Sequence, residues 1–283
     1  MSRQKRIERK NQTGSADEPL SEAALQQALE HAVGQHGEGN LGEAESTYRQ
    51  ILKTIPDHPI ALHYLGVLLF QRDEHAEAKK LIEHALSVAP DYADAHHNLG
   101  KVLYELGDFD SAKESYARAV NHDPDSVETH NFLGLAHEAL GETEQAVACF
   151  EAALALQPGY VDALNNLGNA LRVLERPEDA IAIFQTAIEI DSGFFEGHHN
   201  LANAFQDLNR LEEAVESYRT ALAINPDFEE TQKNLGTCLL GCGSHREGLQ
   251  HLQQSCGVIE FTGGETPEWR LLYKHPSETH ATS

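Results

Sequence analysis

The feature that most constrains this chain is a residue pattern that repeats every 34 residues. Proline, alanine and glycine each follow this period, and the three series stay in phase with one another. The prolines are Pro56, Pro90, Pro124, Pro158 and Pro226, with Ser192 where a sixth would fall. The small residues are Ala44, Ala78, Ala112, Ala146, Ala180 and Ala214, together with Gly66, Gly100, Gly134, Gly168, Ala202 and Gly236. Composition alone does not produce such a pattern, so one structural unit is used many times.

Each period predicts two short helices joined by a turn. Apolar residues recur at helical spacing before and after Gly107, first in Leu99, Val102, Leu103 and Leu106 and then in Ala112, Tyr116, Ala119 and Val120. Glycines such as Gly107 end the first helix, and the periodic proline ends the second because it cannot continue the backbone hydrogen bonds. The small residues let the two helices approach closely. The pattern therefore predicts an all-α solenoid of helix-turn-helix repeats.

The sequence of these units resembles the tetratricopeptide repeat (TPR) family over roughly four fifths of the chain. The segments ADAHHNLGKVLYELGDFDSAKESYARAVNHDPD and VDALNNLGNALRVLERPEDAIAIFQTAIEIDS are most similar to the TPR superhelix of O-linked N-acetylglucosamine transferases and SPINDLY-like proteins. The resemblance implies a right-handed solenoid. Because the sequence ends before a glycosyltransferase domain could follow, we expect the recognition half only.

We number each repeat so that the periodic proline is position 32. The repeats then cover residues 25–58, 59–92, 93–126, 127–160, 161–194 and 195–228, with a degenerate capping repeat at 229–262, within a solenoid of residues 21–262. Residues 1–20 lack the period and are predicted to be a disordered basic arm. We expect residues 263–283 to form a tail, with a hairpin that includes 257–262.

The charge balance excludes one large class of function. Lys and Arg number 21 against 45 Asp and Glu, which gives a formal net charge of −24. Nucleic-acid binding depends on basic side chains that neutralise phosphates, so we expect no nucleic-acid partner. No apolar run approaches the roughly 18 residues of a membrane span, and the four cysteines lack the spacing of a disulfide framework. These features favour a cytoplasmic protein.

The TPR resemblance implies that positions 2, 5, 6, 9, 12 and 13 face a concave groove. Asparagine recurs there although it is mildly unfavourable inside helices. These asparagines are Asn98, Asn166, Asn200 and Asn234 at position 6, Asn169 and Asn203 at position 9, and Asn131 and Asn165 at position 5. An amide can pair with both polar groups of a peptide backbone, and in the transferase relatives such asparagines hold partner polypeptides. Asparagine at positions 6 and 9 is also common in ordinary TPR units, where it serves folding or solubility.

Position 2 carries one carboxylate per repeat, and two further candidates are histidines at position 5. The carboxylates are Asp94, Glu128, Asp162, Glu196 and Glu230, and the histidines are His97 and His199. Acids in a first turn stabilise the helix dipole wherever they point, but five along one groove also favour a basic partner. Equivalent residues of adjacent repeats lie on the order of 10 Å apart, too far to share a metal ion. We therefore expect no metal and no cofactor.

No nucleophile, base and orienting acid stand outside the repeat pattern, so we expect no enzymatic activity. The sequence predicts a non-catalytic adaptor that binds an extended segment of another protein in its groove. One alternative is a self-assembling scaffold or homo-oligomer. Residues 1–10 carry five basic side chains, and the remaining chain has a formal charge of −28 from 16 basic and 44 acidic residues. A third reading is the targeting subunit of a separately encoded enzyme, such as a glycosyltransferase.

Overall fold

The computed structural model describes residues 22–262 and 268–273. The chain divides into two compact units, Met1–Pro124 and Asp125–Ser283. The described part of unit 1 holds six helices that pack as three consecutive pairs. They are α1 (Glu22–Gly37), α2 (Leu41–Thr54), α3 (Pro59–Phe70), α4 (His75–Val88), α5 (Ala93–Glu105) and α6 (Phe109–His122).

The described part of unit 2 holds four helix pairs followed by a two-stranded antiparallel hairpin. The helices are α7 (Val127–Ala139), α8 (Thr143–Leu156), α9 (Val161–Val173), α10 (Pro177–Ile190), α11 (Phe195–Asp207), α12 (Leu211–Ile224), α13 (Glu229–Gly241) and α14 (His245–Cys256). Strand β1 (Gly257–Thr262) pairs with β2 (Glu268–Tyr273), so that Gly257 lies opposite Tyr273 and Thr262 opposite Glu268. Residues 257–262 are thus strand and not part of the last repeat's helix. The predicted arm at 1–20 lies outside the described residues.

The periodic small residues lie where two helices of a pair come closest. A methyl group added to Gly168 of α9 would lie 2.4 Å from Cε1 of Phe184 on α10, and one added to Gly134 would lie at the same distance from Cε1 of Phe150. These aromatic rings are fully buried. Glycine is required because the ring of the second helix occupies the space that a Cβ would take. This close approach makes each pair one packed unit.

The turn inside every pair has one residue with a left-handed backbone. These residues are Gly39, Asp73, Gly107, Gly141, Glu175, Asn209 and Gly243, again 34 residues apart. At Gly107 the helix end is closed by hydrogen bonds from Gly107 N to Tyr104 O and from Asp108 N to Leu103 O, both 2.9 Å long. The prediction of an all-α fold of helix-turn-helix repeats is confirmed for the described helices.

Candidate functional site

The first helices of consecutive pairs lie side by side within each unit. In unit 1, α3 contacts both α1 and α5, and in unit 2, α9 contacts both α7 and α11. Helix α13 joins this row through a hydrogen bond from Asn234 to Asn203 on α11. Side chains at equivalent positions of neighbouring first helices can therefore meet, which brings the predicted asparagines together.

In unit 2 these asparagines pair from one repeat to the next. We call the following residues the amide row: Asn131, Asn165, Asn166, Asn200, Asn203 and Asn234. Asn166 Nδ2 donates to Asn131 Oδ1 at 3.0 Å, and Asn200 Nδ2 donates to Asn165 Oδ1 at 2.7 Å. Asn234 Nδ2 donates to Asn203 Oδ1 at 3.3 Å. Each bond links two first helices and fixes the plane of both amides.

The pairing leaves hydrogen-bonding groups of the amide row unused. The Oδ1 atoms of Asn166, Asn200 and Asn234 accept no hydrogen bond from the residues that the structure describes. The side-chain N–H groups of Asn165, and of Asn169 beside the row, are likewise not engaged within this part of the chain. All five side chains are half-buried. The amide row thus offers both acceptors and donors that already have a fixed orientation.

Two predicted contact residues lie in the interior of unit 2. Asn131 is 4% exposed and His199 is 5% exposed. His199 Nδ1 lies 2.6 Å from Thr231 Oγ1, and burial lowers the pKa of its imidazole. Their side chains are covered by the helices on both sides, so they do not fit a direct contact with a partner. Asn131 instead orients Asn166, from whose amide it accepts a hydrogen bond, and His199 ties its first helix to the buried Thr231 of the next one.

The corresponding junction in unit 1 uses a histidine. Asn98 Nδ2 donates to His63 Nε2 at 2.9 Å, and it also donates to the backbone oxygen of Asp94 at 3.0 Å. Because an amide nitrogen only donates, His63 Nε2 is the acceptor, and Nδ1–H donates to the Tyr92 hydroxyl at 2.9 Å. His63 is 2% exposed. Burial lowers the pKa of His63 to about 4, with a smaller contribution from His97, so the ring is neutral.

Position 6 of the preceding repeat is an aromatic residue. The ring of Tyr64 lies 5.0 Å from His63, 6.1 Å from Tyr48 and 6.3 Å from His36, measured between centroids. His97, a predicted contact residue, is half-buried with its ring 5.7 Å from Tyr116. Position 6 of unit 1 therefore holds the Tyr64 ring and the Asn98 amide, whereas three of the four position-6 residues of unit 2 are asparagines.

The position-2 carboxylates lie in the first turns of α5, α7, α9, α11 and α13. Asp94, Glu128, Asp162 and Glu230 are exposed, and Glu196 is half-buried. Asp94, Asp162, Glu196 and Glu230 form no ion pair with the described residues. Their placement suits the helix dipole and also leaves their charge available to a partner.

Histidine and glutamine at position 4 have a role that the sequence analysis missed. His96 Nε2 donates to the backbone oxygen of Pro90 at 2.8 Å, and Gln232 Nε2 donates to that of Pro226 at 2.7 Å. Each bond ties a first helix to the turn that precedes it. The signal was present in the constant separation of six residues between position 4 and the periodic proline. Among the described residues, no group of three His, Cys, Asp or Glu side chains could hold a metal ion.

A second missed signal is a step of 35 residues. Four inter-repeat hydrogen bonds on the first helices of the two units join residues with this separation. They are His63–Asn98, Asn131–Asn166, Asn165–Asn200 and Arg172–Asp207. A search for residues at equal positions finds only the 34-residue period. Adding one residue to that period finds these four pairs.

No helix in the described part of the chain combines the length and the apolar character needed to cross a membrane.

The family was decided by comparison with known proteins. A profile of the cilia and flagella-associated protein 70 C-terminal domain matches residues 4–237. The chain belongs to this TPR family. No curated protein sequence matches this TPR domain.

Solved structures confirm the fold of this TPR domain. MamA is 24% identical, with a TM-score of 0.52 over 56% of this chain and 92% of MamA. YrrB, reported as a TPR protein with an unusual peptide-binding site, is 19% identical, with a TM-score of 0.57 over 70% of this chain and 97% of YrrB. The C-terminal part of a TPR repeat-containing protein from Cytophaga hutchinsonii is 15% identical, with a TM-score of 0.65 over 80% of this chain and 93% of that one. These similarities establish a TPR solenoid fold.

Proposed function

We propose that this chain is a non-catalytic adaptor, and that the amide row of unit 2 binds an extended segment of another protein. One observation carries the proposal. The position-6 asparagines donate a hydrogen bond from Nδ2 to the preceding repeat, while their Oδ1 atoms accept none from the described residues. An extended backbone offers N–H and C=O groups at regular intervals, and the row supplies partners for both.

The fixed orientation of the amides favours binding. A flexible asparagine loses side-chain freedom when it captures a ligand, at a cost of about 0.5–1.5 kcal/mol. In Asn166 and Asn200 the bond to the preceding repeat has already removed that freedom. In unit 1, Asn98 Nδ2 donates both to His63 and to the backbone oxygen of Asp94, so the Asn98 amide is also fixed and its Oδ1 is available to a ligand. YrrB, reported with a peptide-binding site, shows that a TPR fold of this kind serves peptide recognition in another protein.

The position-2 carboxylates would select the partner. Asp162, Glu196 and Glu230 lie at the start of three consecutive first helices of unit 2 without an ion pair in the described part of the chain. Their summed charge attracts Lys and Arg side chains and repels acids. We therefore propose that the segment carries basic residues on the side that faces the helix starts.

The test is affinity capture by the immobilised full chain, followed by mass spectrometry. The variant Asn166→Ala/Asn200→Ala/Asn234→Ala should lose its captured proteins, because three lost hydrogen bonds of about 1 kcal/mol each weaken binding about a hundredfold. Gln145→Ala/Gln185→Ala removes exposed amides from the second helices α8 and α10 and is the matched control. Equal capture by the asparagine variant and the control would contradict the proposal.

The resemblance to the TPR region of O-linked N-acetylglucosamine transferases supports a more specific version. We propose that the chain acts as the targeting subunit of a separately encoded enzyme, with the amide row holding the substrate protein. Co-purification of a glycosyltransferase with the wild-type chain and with the asparagine variant would support this version. Captured partners that include no enzyme would remove it without affecting the adaptor function.

The contrast between the basic arm and the acidic body supports self-assembly as the alternative. We propose that in this case residues 1–20 of one cytoplasmic copy bind the acidic surface of another. Light scattering separates the two functions: self-assembly requires a mass above that of one chain, which falls to the monomer value when residues 1–20 are removed. An unchanged mass on truncation contradicts it.

A further inference from the structure

A cleft opens beside the amide row in unit 2. Its volume is about 730 Å³, and it is lined by Asn169, Arg172, Val173, Glu175, Pro177 and Asp207. These residues come from α9, the turn after it, the start of α10 and the end of α11. The cleft thus lies where two consecutive repeats meet, next to the row that the proposed function uses.

Arg172 is held in this cleft by one edge of its guanidinium group. Its Nε donates to Asp207 Oδ2 at 2.7 Å. The two terminal nitrogens make no hydrogen bond with the residues that the structure describes, although the side chain is only 23% exposed. In Arg210, by contrast, both Nε and Nη2 bind Glu213. Both terminal nitrogens of Arg172 therefore keep N–H groups that can donate side by side to a planar acceptor such as a carboxylate.

The neighbours of Arg172 complete a site with one charged and one apolar part. Asn169 lies three residues earlier on the same face of α9, and its half-buried amide makes no hydrogen bond within the described part of the chain. Val173 is 68% exposed, more than any other large hydrophobic side chain in that part. An exposed aliphatic group beside unused polar donors suits a ligand that has a short carbon chain and a polar end.

The cleft lies at the end of α9, whereas the position-2 carboxylate of this helix, Asp162, lies at its start. Asp162 and Arg172 are ten residues apart on α9, which corresponds to about 15 Å along the helix axis. Asn165, Asn166 and Asn169 lie between them on the same helix. A segment bound over the amides would therefore meet negative charge on one side and a guanidinium on the other.

We propose that the Arg172 cleft is a specificity site for an aspartate or glutamate side chain of the bound segment. The inference rests on the proposed function. It adds which side chain of the bound segment is recognised and at which end of α9 that side chain lies. The terminal guanidinium nitrogens bind the carboxylate in a bidentate manner, Asn169 donates a further hydrogen bond, and Val173 and Pro177 contact the methylene groups.

Two carboxylates near the cleft bear on this assignment. Asp207 is already paired with Nε, so part of its charge is neutralised by Arg172 itself. Glu175 is exposed at the turn after α9, where water and salt screen its charge. Arg172 lines the cleft and only its Nε is engaged among the described residues, so a charge-assisted bond from its terminal nitrogens to a carboxylate outweighs the screened repulsion.

The experiment is selection of random peptides displayed on phage against the full chain, with peptides of about 12 residues that span about 40 Å when extended. The wild-type chain should enrich Asp or Glu at one position of the selected peptides. Arg172→Gln should still select peptides but without that enrichment. Arg176→Gln, an exposed arginine of the adjacent turn that pairs with Asp179, is the matched control and should keep it.

Two further measurements separate recognition from folding. Asp207→Ala removes the acceptor of Nε but keeps the guanidinium, so it should retain the acidic enrichment, whereas a purely structural tie predicts the same loss as Arg172→Gln. In titration calorimetry, changing the selected acid of the peptide to its amide should weaken binding to the wild-type chain about tenfold and to Arg172→Gln by less than about twofold.

The outcomes are distinct. Selected peptides without an acidic preference, or an unchanged preference in Arg172→Gln, overturn the specificity site and leave the proposed function intact. If no peptide is selected by the wild-type chain, the proposed function fails and the site fails with it.

Discussion

Units 1 and 2 join their neighbouring first helices by side-chain hydrogen bonds between different residue types. In unit 1 the first helices α3 and α5 are joined by His63 and Asn98, and in unit 2 the first helices α9 and α11 are joined by Asn165 and Asn200. Both pairs use position 5 of one repeat and position 6 of the next. The geometry requires an acceptor at position 5 that reaches the neighbouring amide, and both imidazole and amide supply one. The difference is that only the imidazole can take up a proton.

The two units also differ in the surface that they leave open. In unit 1 the rings of Tyr64 and Tyr92 lie near a single amide, Asn98, whereas unit 2 has a series of amides at Asn166, Asn200 and Asn234. Aromatic rings bind apolar or cationic side chains, and amides bind backbone groups. We therefore propose unit 2 as the place of backbone recognition.

The largest expected effect is in acid stability, and it distinguishes the His63–Asn98 junction of unit 1 from the Asn165–Asn200 junction of unit 2. Because the pKa of His63 falls from 6.5 to about 4 on folding, the unfolded chain binds the extra proton first. The stabilisation by neutral His63 is complete above about pH 6.5 and is lost as the pH falls towards 4, by about 3 kcal/mol in total. His63→Asn, which copies the junction of unit 2, should remove this part of the pH dependence of urea unfolding.

Two variants sharpen this prediction. Asn165→His should introduce a comparable acid sensitivity into unit 2, whereas His31→Asn, at an exposed position of unit 1, controls for the loss of one histidine. If wild type and His63→Asn lose stability equally between pH 7.5 and pH 4, the acid sensitivity does not come from His63 and the two junctions do not differ in this respect.

A smaller effect is expected from filling the close approach between paired helices. Gly168→Ala would place a methyl group 2.4 Å from the ring of Phe184, so the ring must move within a packed core. We expect a loss of about 2 kcal/mol in the free energy of unfolding. Gly100→Ala in unit 1, where the distance to Tyr116 is 2.6 Å, should cost a similar amount. The control is Ala202→Gly at the same repeat position, which should cost about 0.5–1 kcal/mol. A gain in stability for Gly168→Ala would show that the ring moves freely.

The smallest effect concerns a single amide pair. Asn200→Ala removes one neutral hydrogen bond between half-buried side chains and should cost about 1 kcal/mol. In a double-mutant cycle with Asn165→Ala, the two costs should not add, because either change breaks the same bond. Gln185→Ala, on the exposed face of α10, should stay within about 0.5 kcal/mol of wild type. Additive costs would mean that the pair does not couple the repeats.

The repeat architecture could be predicted from the sequence because steric demands recur at fixed positions. Gly168 and Phe184 must occur together, and the turn glycines stand where the backbone is left-handed. Only Asp73, Glu175 and Asn209 adopt that conformation without being glycine among the described residues, so glycine alone would have missed three of the turns.

The candidate site could be predicted only in part. The asparagines were identified by position, but position does not state which of two adjacent residues faces outwards. Asn131 and His199 share position 5 with Asn165, yet both are buried, because the neighbouring first helix covers them. The Arg172 cleft was not predicted, because its residues come from three helices and from a 35-residue step between repeats.

The most direct test of the central claim is a nitrogen-15 spectrum of the side-chain amides, recorded with and without a captured segment. The account predicts that the signals of Asn165, Asn166, Asn200 and Asn234 shift on binding, whereas those of Gln145 and Gln185 on the second helices stay in place. Shifts confined to Gln145 and Gln185, with the amide row unchanged, would contradict it.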